Sequence, residues 1–157
     1  MCLEAVKQSL YGLCFIKNQT EQICLEAIRQ NFDNFKYVKD QTEQICLEAV
    51  KQNGLTLQLV KDHTTNFYEK ICLEAIRQNI GAFKHAKNQT EQICLEAVRQ
   101  NGLTLEFVKD QTTNFYEKIC LEAVRQNIGA LTYVKNQTNQ PNSTYHMIAL
   151  EAVKQDV

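Results

Sequence analysis

The chain has 157 residues, of which 44% are hydrophobic, so it is long enough to bury a core and too apolar to be a disordered tail. Its 17 Lys and Arg residues nearly balance its 18 Asp and Glu residues, and the formal net charge of −1 argues against a dedicated nucleic-acid binder. No apolar run reaches the roughly 18 residues of a membrane-spanning helix, and no signal peptide is visible at the N-terminus.

One phrase recurs along the whole chain, and in its third copy it reads Glu43-Gln-Ile-Cys-Leu-Glu-Ala-Val-Lys-Gln-Asn53. The copies lie 22, 26 or, before the last, 29 residues apart, and their marker residues are Cys2, Cys24, Cys46, Cys72, Cys94, Cys120 and Ala149. Such a period is typical of a solenoid, in which each repeat buries its apolar face against its neighbours. We therefore predict an all-α fold, an α/α solenoid (superhelix) of about six and a half short two-helix repeats in one domain over residues 1–157. The repeats are placed at approximately 1–18, 19–40, 41–62, 63–88, 89–110 and 111–136, with a linker over 137–144 and a terminal helix over 145–157.

The first helix of each repeat is predicted from a single apolar face, which in the second repeat contains Ile23, Ala27 and Ile28. On the solvent side, Glu26 and Arg29 are three residues apart and are expected to pair. The start of this helix carries two candidate capping residues, the Asn or Asp three positions before Glu and the Thr directly before Glu, and the pattern does not choose between them. Its end is marked by Asn, alone or followed by Gly, and both residues tolerate a left-handed cap.

The second helix is predicted from apolar residues three positions apart, such as Phe32, Phe35 and Val38, and it is followed each time by Lys. A competing interpretation is a leucine-rich repeat, because residues 55–59 and 103–107 alternate like strands. The equivalent residues 33–37 do not alternate, which favours the helical interpretation.

Two of the repeats contain four extra residues, within the segments His63–Lys70 and Gln111–Lys118. Four residues are close to one helical turn, so we expect the insertion to lengthen the first helix without rotating its apolar face. The added turn would carry four aromatic side chains, which either pack against the next helix or form an aromatic shelf that anchors a partner. These candidate side chains are Phe67, Tyr68, Phe115 and Tyr116.

The cysteines at equivalent repeat positions are expected to lie roughly 10 Å apart in successive layers, too far for disulfides. They also lack the paired spacing of zinc ligands, so we predict buried, reduced thiols and a reducing, intracellular location. The three histidines stand at non-equivalent repeat positions, and no nucleophile, phosphate-loop or metal-ligand pattern is present. We therefore expect no enzyme activity, no catalytic residue, no cofactor and no metal.

The phrase that runs from Ile45 to Val60, and again from Ile93 to Val108, resembles an uncharacterised short repeat family. That family is a domain of unknown function with a unit of about 48 residues, abundant in large DNA viruses of amoebae, and 48 is the sum of the 22- and 26-residue spacings here. The resemblance implies a viral protein that acts in the host cytoplasm or in the virion. It implies no activity and carries over no catalytic residue.

Protein–protein interaction is the predicted function, because a solenoid presents a long surface whose variable positions select the partner. The candidate partner surface is the variable position directly before the second helix's Val-Lys, occupied by Phe15, Tyr37, Leu59, His85, Phe107 and Tyr133. The alternative is that the same side chains fill the space between layers, and the sequence leaves both options open. The alternative function is nucleic-acid binding through the Lys and Arg ladders, although acidic residues stand close to both ladders.

The two ends of the solenoid carry apolar residues where terminal repeats normally present a polar face. The candidate self-association residues are Met1, Leu3, Leu150 and Val153. They suggest a homodimer or a longer array formed through the ends. The expected partners are thus an unidentified protein and a second copy of the chain, and no membrane is expected.

Overall fold

The computed structural model describes residues 12–112, 114–135 and 144–153, without the side chains of Thr144 and Ala152. The chain divides into two compact units, the first ending at Asn88 and the second beginning at Gln89. This division falls between the repeats placed at 63–88 and 89–110.

The first unit contains three α-helices and four 3₁₀-helices in its described residues. In chain order these are η1 (Gly12–Phe15), α1 (Glu21–Gln30), η2 (Phe32–Tyr37), α2 (Glu43–Gln52), η3 (Gly54–Leu59), α3 (Tyr68–Gln78) and η4 (Ile80–His85). The second unit contains α4 (Glu91–Gln100), η5 (Gly102–Phe107), α5 (Tyr116–Gln126), η6 (Ile128–Tyr133) and α6 (Thr144–Val153). Within each unit, successive α-helices pack on one another, and so do successive 3₁₀-helices.

This architecture confirms the predicted helical repeat solenoid and excludes the leucine-rich repeat. Residues 55–59 and 103–107, which alternate like strands in sequence, lie in the 3₁₀-helices η3 and η5. A 3₁₀-helix has three residues per turn, which explains the apolar spacing of three in this part of each repeat.

The core comes from both helices of each repeat. In α1, Ile23, Cys24, Leu25, Ala27 and Ile28 are all buried, as expected for an internal helix that is covered on two sides. In η2 to η5 and directly after them, the second and third members of each apolar triplet are buried: Phe35, Val38, Leu57, Val60, Phe83, Ala86, Leu105 and Val108.

The junctions of the α-helices correct one prediction and resolve another. Thr20, Thr42 and Thr90 cap the short repeats, since each hydroxyl accepts a hydrogen bond from the backbone N–H three residues on. The Asn at the other end is not left-handed, because Asn31, Asn53, Asn79, Asn101 and Asn127 all have extended backbone with φ between −150° and −157°. Each Asn instead ends one helix and begins the next. Its N–H donates to a carbonyl of the α-helix, and its side-chain oxygen accepts from the second residue of the 3₁₀-helix.

The prediction that the insertion adds a full turn to the α-helix is wrong, because the helix gains only one residue. Helices α3 and α5 have 11 residues against 10 in the short repeats, so most of the inserted residues precede the helix. Asp62 explains the loop, because its carboxylate accepts hydrogen bonds from both the N–H and the hydroxyl of Thr64. The same two bonds lower the pKa of Asp62.

The expected ion pair within each repeat is also corrected. The guanidinium of Arg29 lies 3.6 Å from Glu48 in the following repeat, whereas Glu26 accepts a hydrogen bond from Gln30. Arg99 pairs with Glu122 in the same way at 2.9 Å. The charged ladder therefore links neighbouring repeats, although pairs this exposed contribute only about 0–1 kcal/mol each.

Gly54 and Gly102 occur where a short repeat contacts a long one. A Cβ at Gly54 would overlap the backbone carbonyl oxygen of Ala75 in α3. The close approach also lets the Gly54 N–H donate to the side-chain oxygen of Gln78 at 2.6 Å. Gly102 meets Ala123 and Gln126 in the same arrangement. Glycine is thus required by the packing of the long repeat on the short one.

We expect Gly54→Ala to lower the free energy of unfolding by about 2–3 kcal/mol, because the new methyl group must displace backbone of α3. Urea denaturation followed by circular dichroism measures the change. Gly81→Ala is the matched control, since its Cβ would meet only the Asn79 side chain at 3.0 Å and Leu55 at 3.6 Å, and a much smaller loss is expected. Equal stability of the two variants would contradict the close-packing explanation.

Candidate protein-interaction surface

The candidate surface residues of the first unit all end a 3₁₀-helix. Phe15, Tyr37, Leu59 and His85 are the last residues of η1, η2, η3 and η4, and we call them the first-unit row. Phe15 is 82% exposed and Leu59 is 38% exposed, while Tyr37 and His85 are half-buried. Because the four 3₁₀-helices pack in sequence, the row presents one accessible side chain per layer.

The second unit has an equivalent pair. Phe107 ends η5 and is 44% exposed, and Tyr133 ends η6 and is half-buried. We call these two residues the second-unit row. Neither row lies in the core, so the proposal that these side chains only fill space between layers does not account for their exposed area.

A glutamine side chain holds the backbone behind each row position in the short repeats. The Gln19 amide nitrogen donates to the Tyr37 carbonyl at 3.0 Å, and the Lys39 N–H donates to the Gln19 side-chain oxygen at 3.0 Å. Gln41 makes the same two bonds to Leu59 and Lys61, and Gln89 makes them to Phe107 and Lys109. Tyr37, Leu59 and Phe107 are therefore presented from a backbone fixed by two hydrogen bonds.

Tyr68 takes over this role in the long repeat. It is only 2% exposed, and its hydroxyl accepts a hydrogen bond from the Lys87 N–H at 3.0 Å. The edge-on ring of His63 lies 5.1 Å away. Tyr116 is 6% exposed at the equivalent position, and burial raises the pKa of both tyrosines. Because Tyr68 and Tyr116 are buried, they are not accessible as parts of an aromatic shelf. Phe67 and Phe115, which directly precede α3 and α5, are half-buried.

The two tyrosines give a matched pair of substitutions. The Tyr68 hydroxyl accepts a hydrogen bond from the Lys87 N–H, whereas the buried Tyr116 hydroxyl has no partner with hydrogen-bond distance and angle among the residues that the structure describes. We expect Tyr68→Phe to destabilise the protein by about 1 kcal/mol and Tyr116→Phe to be neutral or slightly stabilising. Chemical denaturation of both variants checks this, and a larger loss for Tyr116→Phe would contradict the assigned role of Tyr68.

Several lysines beside the first-unit row are engaged with the protein itself. The Lys39 ammonium donates to the Lys17 carbonyl at 2.9 Å, and the Lys61 ammonium donates to the Val38 carbonyl at 2.7 Å. Lys36 lies over the Tyr37 ring at 5.0 Å from its centre. Lys39 and Lys61 therefore bind carbonyls at or just after the end of the 3₁₀-helix in the preceding repeat, whereas the sequence pattern placed each Lys at the C-terminus of its own helix.

Two segments of the chain, residues 20–65 and 68–112, match the family described as a domain of unknown function, DUF4116. Together they cover more than half of the 157 residues. The chain belongs to the DUF4116 family. This confirms the predicted membership of an uncharacterised repeat family with tandem units. No curated protein and no solved structure shows significant similarity to the chain.

Each DUF4116 segment contains two α-helices and two 3₁₀-helices. Comparison of these copies within the chain separates two kinds of position. The α-helix is nearly the same each time, as in α1, α2 and α4, which all contain Glu-Gln-Ile-Cys-Leu-Glu-Ala. The last two residues of the 3₁₀-helix change from copy to copy and read Lys-Tyr, Gln-Leu, Lys-His, Glu-Phe and Thr-Tyr in η2 to η6.

Six cysteines of the described residues form no disulfide, and all of them are buried except Cys14, which is exposed. Burial raises the pKa of Cys46 and Cys94 to about 12 and that of Cys120 to about 11, so these thiols stay protonated at neutral pH. Within residues 12–112, 114–135 and 144–153, no cluster of His, Cys, Asp and Glu is arranged to hold a metal ion. None of the helices in these ranges combines the length and apolar character that a membrane crossing requires.

The glutamine contacts were missed by the sequence analysis, although a signal for them exists. Gln19, Gln41 and Gln89 all stand two residues before the first Glu of a short α-helix. Tyr68 and Tyr116 appear only in the long repeats, where the insertion has moved the Gln-Thr or His-Thr pair away from the helix start.

Proposed function

We propose that this DUF4116 chain is a non-catalytic repeat scaffold that binds another protein through the first- and second-unit rows. The observation that carries the proposal is that exposed apolar and aromatic side chains occupy the position that varies among copies. Packing does not require this variation, since the buried positions stay nearly constant. Aromatic side chains on a fixed backbone are typical anchors of protein interfaces.

The proposal also includes an intracellular setting. In the described part of the chain, five buried cysteines keep their thiols outside any disulfide, which suits a reducing compartment. We further propose a viral protein acting in the host cytoplasm or the virion, for which the support is the sequence resemblance of the repeat phrase. Quantifying free thiols in freshly isolated protein tests the setting, and cross-linked thiols would contradict it.

The triple substitution of Tyr37, Phe107 and Tyr133 by Ser tests the rows. We expect it to abolish binding of the partner while the melting temperature falls only a little, because these side chains are partly exposed. The partner is identified by quantitative mass spectrometry of proteins captured by the wild-type chain from host cells. A loss of stability with unchanged binding would show that the rows serve packing instead.

The matched control replaces Gln22, Gln44 and Gln92 by Ser, because these residues are exposed on the α-helices and not on the 3₁₀-helices. This variant should keep the partner. Nucleic-acid binding, the alternative function, is measured in parallel as the salt dependence of binding to single-stranded RNA. Against this alternative stands the formal net charge of −1, since a dedicated nucleic-acid binder usually carries a clear basic excess.

Self-association through α6 is a second proposal with its own observation. Leu150 is 52% exposed and Val153 is 66% exposed, whereas their equivalents in α1, Leu25 and Ile28, are 5% and 0% exposed. Met147 adds a third exposed apolar side chain at 57%. These positions are spaced three residues apart and so share one side of the helix. Met1 and Leu3, the candidates at the other end, lie outside the described residues.

We expect the apparent mass of the chain in light scattering to rise with protein concentration, and Val153→Glu to weaken this association at least about tenfold, because a charge would be buried in an apolar contact. His146→Glu is the control, since His146 is an exposed polar residue on the same helix. A mass that stays monomeric at all concentrations would contradict the proposal.

A further inference from the structure

We infer that the first-unit row binds an extended acidic peptide that carries an apolar side chain at every third position. The inference rests on the proposed interaction function and adds the chemistry of the partner. It follows from the charges around the row and from the spacing of its layers, both within the first unit.

The exposed charges beside the first-unit row are mainly positive. The 3₁₀-helices and loops of this unit carry six lysines against three aspartates, which leaves a net charge of +3: Lys17, Lys36, Lys39, Lys61, Lys84 and Lys87 against Asp33, Asp40 and Asp62. In the second unit, the corresponding charges are Lys109 and Lys135 against Glu106 and Asp110, which cancel. The positive surface is therefore specific to the first-unit row.

The α-helices of the first unit have the opposite sign. Helices α1, α2 and α3 contain six glutamates against four basic residues, a net charge of −2: Glu21, Glu26, Glu43, Glu48, Glu69 and Glu74 against Arg29, Lys51, Lys70 and Arg77. An acidic ligand is thus attracted to the 3₁₀-helices and repelled from the α-helices. This separation of charge favours an acidic ligand and directs it to the surface formed by the 3₁₀-helices.

The spacing of the row favours an extended ligand. Packed helices lie roughly 8–10 Å apart, and three residues of a polyproline-II or extended chain span about 9–10 Å. In polyproline II, every third side chain lies on the same side of the ligand. A peptide of about ten residues can therefore place one apolar side chain beside each of Phe15, Tyr37, Leu59 and His85.

The lysines can contact such a ligand without leaving their positions. Lys39 and Lys61 each use one ammonium hydrogen for a carbonyl, and an ammonium group has three donors. Lys36 and Lys84 directly precede Tyr37 and His85, so they are placed to meet carboxylates next to the apolar anchors. Gln58, at the same position before Leu59, is neutral.

Fluorescence anisotropy with synthetic peptides and the full chain tests the inference. The probe peptide has leucine at positions 1, 4, 7 and 10, with Asp, Glu and Pro between them, and it is compared with neutral (Gln) and basic (Lys) versions. A fourth peptide has the acidic composition with leucine at every second position. We expect the acidic, third-position peptide to bind about tenfold more tightly than the neutral one, with affinity that falls as salt is raised.

The charge-reversal variants Lys36→Glu and Lys84→Glu are each expected to weaken binding of the acidic peptide several-fold and to leave the neutral peptide unaffected. Lys51→Glu is the matched control, because it makes the same change of net charge on the exposed surface of α2. If all three variants weakened binding equally, only the net charge of the protein would explain the attraction, and the inferred site would be wrong.

The remaining outcomes separate the inference from the proposed function. Tyr37→Ser and Leu59→Ser could remove binding of all leucine peptides while the charge reversals change nothing. In that case the inference of an acidic ligand is wrong, whereas the proposed protein-interaction surface is supported. If no peptide binds and a single-stranded oligouridylate binds in a manner that depends on Lys36 and Lys84, both proposals are overturned in favour of nucleic-acid binding. Tight binding of the peptide with leucine at every second position would overturn the spacing argument.

Discussion

The hydrogen-bonded junction at Asn31, Asn53, Asn79, Asn101 and Asn127 determines how the five repeats that contain it are built. One extended residue ends the α-helix through its N–H and starts the 3₁₀-helix through its side-chain oxygen. Because a single residue joins the two helices, a pair of helices fits in only 22 residues. Asn suits this position because it supplies a short acceptor beside its own backbone. Since the junction fixes where the 3₁₀-helix begins, it also fixes which residue ends that helix and becomes a member of a row.

The short and long repeats use different residues to hold the C-terminal end of the 3₁₀-helix. In a short repeat, Gln19 or its equivalent reaches back to the end of the 3₁₀-helix, whereas Tyr68 approaches the same end from the first turn of the longer helix. The long repeat also approaches its neighbour more closely, which is why Gly54 stands opposite Ala75. Lys70, from the same segment as the insertion, pairs with Glu43 of the preceding repeat at 2.7 Å. The insertion, Tyr68 and Gly54 are therefore parts of one interface between a short and a long repeat.

Features that depend on local periodicity could be read from the sequence, and features that depend on tertiary contacts could not. The faces of α1 and the spacing of Phe32, Phe35 and Val38 predict the helices because burial repeats with the helical period. The loop at Asp62 was missed because the four-residue spacing of apolar residues continues through the insertion, although the side chain of Asp62 binds Thr64 and forms a turn. The pairing of Arg29 with Glu48 was missed because sequence distance favours Glu26, while the packing of α1 on α2 brings Glu48 near. The sequence identified the variable position that forms the rows and the aromatic residues of the insertion. Only the structure shows that Phe15 and Leu59 of the first-unit row are accessible, whereas Tyr68 of the insertion is buried.

Near-identity of the buried positions has a consequence for the surface. Because Ile23, Ala27 and Ile28 recur in almost the same form, each repeat offers the next one an equivalent face, and stacking does not depend on the residues at the ends of the 3₁₀-helices. Those residues can then change without loss of the fold, as the replacement of Lys36-Tyr37 by Gln58-Leu59 in the next repeat demonstrates. A change of charge at this position alters the surface potential of one unit and leaves its core untouched. The difference between the positive first-unit row and the neutral second-unit row is a difference of this kind, and it allows two units with nearly the same buried residues to present different chemistry to a partner.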